Sequence, residues 1–340
     1  MALFLPEMGV VEHTKERKTG VLLLNLGSPD SFEPSAVRPY LREFLSDRRV
    51  IEMPPAIWRF ILYGFILPFR PKKSGALYRK VWTDNGSPLI VHTQNLAKDL
   101  QNQLNMPVFA AMSYGNPSTD SVVQEMKKNG ITHIVVLPLF PQYASSAAGA
   151  ALDALWRTML KSRVQPAIKT IAAFYDFMPY IHALAQNIQA AWQKNGKGEM
   201  LLMSFHGIPL AQHNAGDVYQ AQCYQTAQLL AAELNLTEKQ YRIVFQSRFG
   251  RAEWITPSTQ DELAQLPQQG IKNIDICCPG FVCDCLETLE EIAISGKKIF
   301  IDAGGKNYHY IPCLNNEKAS VEALKKLIQQ NMEHNNDTST

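Results

Sequence analysis

No GxGxxG or GxxxxGK[ST] run occurs in the 340 residues, so nucleotide binding has no phosphate-cradling motif behind it. No serine stands in a nucleophile-elbow pattern. Formal net charge is only +2 with no long basic block, which gives nucleic acid little electrostatic hold. No apolar run reaches the roughly 18 residues that a spanning helix needs. Residues 1–14 lack a charged start, a long apolar stretch and a small-residue cleavage site, so no secretory leader is expected. Six cysteines without a leader point to reduced thiols in the cytoplasm. Four of them crowd into Cys277, Cys278, Cys283 and Cys285, but C-C-x4-C-x-C is neither a zinc nor an iron–sulfur spacing, and a packing role is expected. His13, His92, His133, His182, His213, His309 and His334 show no ligand spacing.

The apolar content, 46% of the chain, is enough for one large core or two smaller ones. Met200–Phe205 reads as a buried strand, and His206 follows where the chain turns at Gly207 and Pro209. Ligands in open α/β sheets bind at the carboxyl ends of strands, so this imidazole stands where a proton acceptor is useful. A satisfied structural histidine is the alternative. Later, Pro279-Gly280 ends a strand and Asp284 can start a helix. Asp284, Glu287 and Glu291 then fall at i, i+3 and i+7, which predicts one helical face. Stacked carboxylates on a buried face relay protons or hand on a divalent cation. On spacing alone, a solvated acidic helix start that complements the macrodipole fits as well.

Internal similarity organises the rest. Pro117-Ser118-Thr119, Gly130-Ile131 and Ile134 recur as Pro257-Ser258-Thr259, Gly270-Ile271 and Ile274, each 140 residues later. Each copy reads as loop, helix (118–128 and 259–267) and strand (132–138 and 272–277). A second match, Leu23–Pro29 against Met203–Pro209, is offset by 180 and sets Leu26 opposite His206. The first half therefore carries about forty extra residues between 35 and 90. Strands alternating with helices make both halves α/β with mainly parallel sheets, and the boundary is expected at 165–175.

The extra segment holds Ile57–Phe69 followed by Arg70, Pro71, Lys72 and Lys73. Pro68 is expected to stop its helix. Aromatics beside cations suit a membrane interface or a pocket mouth, and an ordinary buried helix fits equally.

These segments together resemble the ferrochelatases, most of all the proteobacterial type, from about Gly20 to about Pro312. The resemblance is carried by Leu24–Pro29, Gly86-Ser87-Pro88-Leu89, Met112–Gly115 and Pro138–Tyr143. It continues in Ser204–Pro209, Gln246–Gly250 and Asp284–Leu289. It implies a chelatase-like α/β fold of two Rossmann-like lobes, each a parallel four-stranded sheet flanked by helices, with a porphyrin cleft between them. The implied lobes are 18–168, including the insert at 35–90, and 169–330, with 331–340 a flexible tail. The implied activity is a lyase reaction, insertion of Fe2+ into protoporphyrin IX to give protohaem with release of two protons. Coproporphyrin or sirohydrochlorin chelation and non-enzymatic tetrapyrrole binding stay open beside it.

Residue by residue, the resemblance makes His206 and Glu287 catalytic and metal-facing, with Glu291 continuing inward from them; the helical spacing adds Asp284 to Glu291 as a relay. It makes Leu26, Tyr114, Trp254 and Phe281 porphyrin-lining. Leu26 departs from the Met or Tyr of relatives, and a [2Fe-2S] cluster of the kind some members hold in a cysteine-rich C-terminal extension is not expected. The expected partners are protoporphyrin IX and Fe2+ as substrates, without a prosthetic group, with peripheral membrane contact through 57–69 and without nucleic acid.

Overall fold

The computed structural model describes residues 17–250 and 252–333. The expectation for residues 1–14, and that for 334–340 of the tail, lie outside these. Two sheets carry the architecture. The first has strands β1 (Thr19–Ser28), β2 (Val108–Gly115), β3 (His133–Pro138) and β4 (Ala167–Thr170), in the order β2-β1-β3-β4. The second has β5 (Met200–His206), β6 (Tyr241–Gln246), β7 (Asn273–Cys277) and β8 (Asn307–Tyr310), in the order β6-β5-β7-β8. Every pairing is parallel. Central parallel strands are covered on both faces, hence the unbroken apolar run Val21–Leu24, whose side chains are wholly buried.

The register makes the duplication physical. Gly20 pairs with Ile134 in the first sheet and Met200 with Ile274 in the second, positions 180 and 140 apart. Leu26 and His206 are therefore equivalent residues near the carboxyl ends of equivalent central strands. The loops repeat too: Met112 N–H donates to the Pro117 carbonyl and Phe245 N–H to that of Pro257, each at 2.8 Å. Ser118 and Ser258 then cap the helices Thr119–Lys128 and Thr259–Gln265 by accepting from Ser121 and Asp261 N–H.

The chain divides into two compact units. One comprises residues up to Leu139, Ser145–Ala173 and residues from Leu324; the other comprises Phe140–Ala144 and Phe174–Ala323. A single cut near 165–175 misses two details. Phe140–Ala144 is bonded into the second unit, where Tyr143 N–H donates to Gln222 at 2.7 Å and Gln142 to Thr226 at 2.8 Å. The last helix, Lys318–Glu333, begins in the second unit and ends in the first, so residues 331–333 of the expected tail are helical.

Pro68 does not stop the helix of the insert. Pro55–Ile61 runs into a π-turn, Leu62–Ile66, and then into the α-helix Leu67–Val81. Leu67 N–H reaches back five residues to the Leu62 carbonyl, so Pro68 falls in the first turn of a new α segment, where no N–H is needed. The buried-helix reading of this run is also overturned: Ile57, Phe60, Tyr63, Phe65 and Phe69 are all more than half exposed. No helix among the described residues is long and apolar enough to cross a membrane.

Candidate functional site

His206 is the last residue of β5 and pairs with Gln246 of β6. Beyond it, Gly207 N–H donates to the Gln246 carbonyl at 2.8 Å, and Leu210 N–H to that of Glu253 at 2.8 Å. Trp254 lies on this turn. A Cβ at Gly207 would come within 3.1 Å of the indole and 2.9 Å of the Gln246 carbonyl, so only glycine fits. The indole N–H donates to the Phe249 carbonyl at 3.1 Å, and the two rings sit 4.9 Å apart. Trp254 is only 8% exposed, so it backs the turn more than it lines an open wall. A backbone hydrogen bond also ties His206 to the buried Tyr219 hydroxyl.

The imidazole Nδ1 stands 2.6 Å from the Gly207 carbonyl oxygen. A carbonyl can only accept, so Nδ1 carries the hydrogen and the neutral ring keeps its lone pair on Nε2. One hydrogen bond thus makes the half-buried His206 a base with a single free nitrogen.

The acidic segment folds differently from a plain α-helix. Glu287–Gly296 is a π-helix, a form concentrated at functional sites. Glu287 and Glu291, four apart, share a face, and the fields of His206 and Glu287 both act on the Glu291 carboxyl. Burial is the largest influence and raises its pKa. Two hydrogen bonds from Ser247 and the field of His206 pull it down in part, and Glu287 pushes it up again. The Ser247 N–H lies 2.7 Å from one carboxylate oxygen, and its hydroxyl bonds the other. Gln246 donates from its side chain to the Glu287 carbonyl at 3.0 Å and accepts from Ser204 at 2.8 Å. The Cys285 thiol bonds the Glu287 side chain.

Asp284 is not part of this stripe. It precedes the helix, is 3% exposed, and its oxygens accept from Thr288 at 2.9 Å, Tyr310 at 2.5 Å and Asn315 at 2.8 Å. A carboxylate so fully bonded holds the loop before the π-helix in place. Asp284→Ala strands these buried donors and is expected to lower stability by about 3 kcal/mol or more in urea unfolding. Its rate per folded molecule should fall much less than in Glu291 variants; an equal fall would return Asp284 to the relay.

Phe281 is half-buried against the cluster of Ile274, Ile276 and Phe300. All six cysteines are reduced and buried, and burial raises the thiols of Cys223, Cys277, Cys278, Cys285 and Cys313, which suits packing rather than reaction. Among the described residues no three His, Cys, Asp or Glu side chains are grouped so as to hold a metal ion.

Leu26 and Tyr114 belong to the first unit. Leu26 is half-buried, and a leucine there gives that strand end no base. Tyr114 is 3% exposed, donates to Asp47 at 3.1 Å and packs on Phe44 with ring centres 5.2 Å apart. Burial, then Asp47, pushes its phenol far above the ordinary range, so it stays a neutral, packed donor with little free surface. A cavity of about 770 Å³ in the same unit opens at the amino ends of β1, β3 and β4, lined by Thr19, His133 and Ala167. That is the wrong end of the sheet for α/β chemistry.

Ser204, Gln246 and Ser247 bond into this site, with Thr259 2.9 Å from the Ser204 hydroxyl, and sequence reasoning left all four without roles. Their signal was present: a serine inside the apolar run Met200–Phe205, and the polar pair Gln246-Ser247 closing a strand.

The family model described as Ferrochelatase matches residues 18–332. The chain is 48% identical over 333 residues to the ferrochelatase of Neisseria gonorrhoeae, covering 98% of this chain and 99% of the relative. It is 43% identical over 339 residues to that of Methylobacillus flagellatus, covering 98% of both. Among solved structures, SirB from Bacillus subtilis with Fe3+ superposes with a TM-score of 0.58 at 12% identity, covering 94% of this chain and 98% of the other. At that identity the likeness speaks for the fold alone.

Proposed function

The chain belongs to the ferrochelatase family, and from that premise we propose that His206 takes the porphyrin protons while Glu287 and Glu291 carry them away. The reaction is a lyase step of haem synthesis: Fe2+ enters protoporphyrin IX, two inner N–H protons leave and protohaem forms. Iron is a substrate here.

The observation that carries the reading is the Nδ1 contact with the Gly207 carbonyl, which leaves Nε2 as the acceptor. As a pyrrole N–H proton moves to Nε2, the imidazolium gains from the carboxylate charge of Glu291, on which the field of His206 acts. Glu287 lies on the same face and extends the acidic path. Trp254 and Phe281 support the neighbouring apolar surface; the half-buried Leu26 faces the porphyrin from the first unit, and Tyr114, buried on Phe44, supports that unit's surface from within. No prosthetic group is assigned, and the cysteines are given to packing.

Turnover of protoporphyrin IX, coproporphyrin and sirohydrochlorin side by side, anaerobically with Fe2+, tests the substrate. The rate should be highest with protoporphyrin IX; a preference for either more acidic tetrapyrrole would overturn that choice.

Six reduced thiols support a cytoplasmic placing, and the exposed aromatics of 57–69 support contact with a membrane surface. Arg59, Arg70, Lys72 and Lys73 lie beside them and suit anionic headgroups. Replacing Phe60, Phe65 and Phe69 together by serine should weaken sedimentation with phosphatidylglycerol-containing vesicles by about tenfold or more, since each ring that enters lipid contributes on the order of 1.5–3 kcal/mol. Unchanged sedimentation would remove this contact surface.

A further inference from the structure

We infer that Ser247 is a positioning residue for metal insertion, its backbone N–H and hydroxyl together fixing both carboxylate oxygens of Glu291. The inference rests on the reading that Glu291 serves His206. Gln246, the β6 residue paired with His206, immediately precedes Ser247. Ser247 then adopts a left-handed backbone, φ 67°, a conformation non-glycine residues rarely take. That conformation aims two donors at one side chain: N–H to Oε1 at 2.7 Å and hydroxyl to Oε2 at 2.5 Å. Gln260 adds a long contact to Oε1 at 3.4 Å. A carboxylate on a flexible side chain has many rotamers, and a two-point grip selects one. The grip starts one residue beyond the rung that holds His206, so acid and base are referenced to the same piece of backbone. Strain concentrated at such a point is characteristic of sites that need a fixed geometry.

In the first unit the position one beyond the equivalent rung is built differently. Gly27, which follows Leu26, pairs with Tyr114, the counterpart of Ser247, and the left-handed residue comes one later, at Gly115. Tyr114 turns to Asp47 instead of to a helix carboxylate. The two-donor serine is thus specific to the half that carries the histidine.

Ser247→Ala, Ser247→Gly, Glu291→Gln and the double variant Ser247→Ala/Glu291→Gln are assayed for kcat and porphyrin KM. Glycine accepts the left-handed backbone freely, so Ser247→Gly is the variant safe against misfolding. In Ser247→Ala and Ser247→Gly alike, kcat should fall about tenfold, with porphyrin KM within about twofold of wild type. In the Glu291→Gln background, Ser247→Ala should cause no further loss. A role in stability alone would leave kcat per folded molecule intact, and that result overturns the inference. So would loss in the alanine variant but not the glycine variant, or losses that multiply in the double variant. Intact Ser247 variants beside a crippled Glu291→Gln refute this inference alone. Full activity in Glu291→Gln refutes the reading beneath it as well.

Discussion

His206→Ala lowers kcat for metal insertion by about 10²- to 10⁴-fold, the usual range for a lost general base, and leaves porphyrin affinity within about threefold. The expectation follows from where the side chain stands. His206 ends a buried strand, its Nδ1 is tied to the Gly207 carbonyl, and the turn is held from behind by Trp254. Removing the ring deletes Nε2, the nitrogen left to accept a pyrrole proton, without touching those backbone bonds. The fold therefore survives, and the site still accepts the macrocycle. Porphyrin fluorescence titration reports the affinity, and the anaerobic assay reports the rate. Near-normal turnover would show that another group takes the protons.

Glu291→Gln produces a protein that is slower yet more stable near neutral pH. The rate should fall about 10- to 100-fold, because the neutral amide neither stabilises the imidazolium nor accepts its proton. The stability gain follows from linkage. Burial, its largest influence, leaves the Glu291 carboxyl with a raised pKa despite the Ser247 bonds and the field of His206. The folded state then binds this proton more tightly than the unfolded chain does. Such a group adds stability below the unfolded carboxylate pKa, near ~4.3, and loses it as pH rises through the folded value. At neutral pH the charged, half-buried carboxylate is a standing penalty, and glutamine lifts it. Thermal unfolding of the two proteins should show the variant's advantage at about pH 7 and convergence toward about pH 4. A variant less stable at neutral pH, or one with undiminished rate, would contradict this assignment.

Much of the fold was readable because strand cores and repeats leave local marks. The apolar runs Val21–Leu24 of β1 and Met200–Met203 of β5 announce strands covered on both faces, and the 140- and 180-residue offsets reappear in the pairing registers. Long-range partners leave no such mark. Asp284 has the spacing of a helical stripe, but Tyr310 and Asn315, 26 and 31 residues on, draw it inward. The π-helix Glu287–Gly296 has the same periodic look over its first turns as an α-helix, so its form was hidden while its shared acidic face was not. Pro68 looked like a stop because a preceding π-turn has no simple composition signature. The run Ile57–Phe69 is apolar around its circumference, which does not distinguish burial from exposure. Ser247 is the most telling omission: a left-handed serine is chosen by its two contacts with Glu291, forty-four residues away, and by nothing beside it.

The most direct test of the central claim is a stopped-flow mixing of the protein, protoporphyrin IX and Fe2+ without oxygen, following porphyrin absorbance and a pH indicator together. Collapse of the four-band free-base spectrum into two bands, with two protons released per metalloporphyrin at the same rate, is predicted for the wild type, and both signals should vanish together in His206→Ala. Bound porphyrin that keeps its four bands, metallated no faster than without protein, would contradict it.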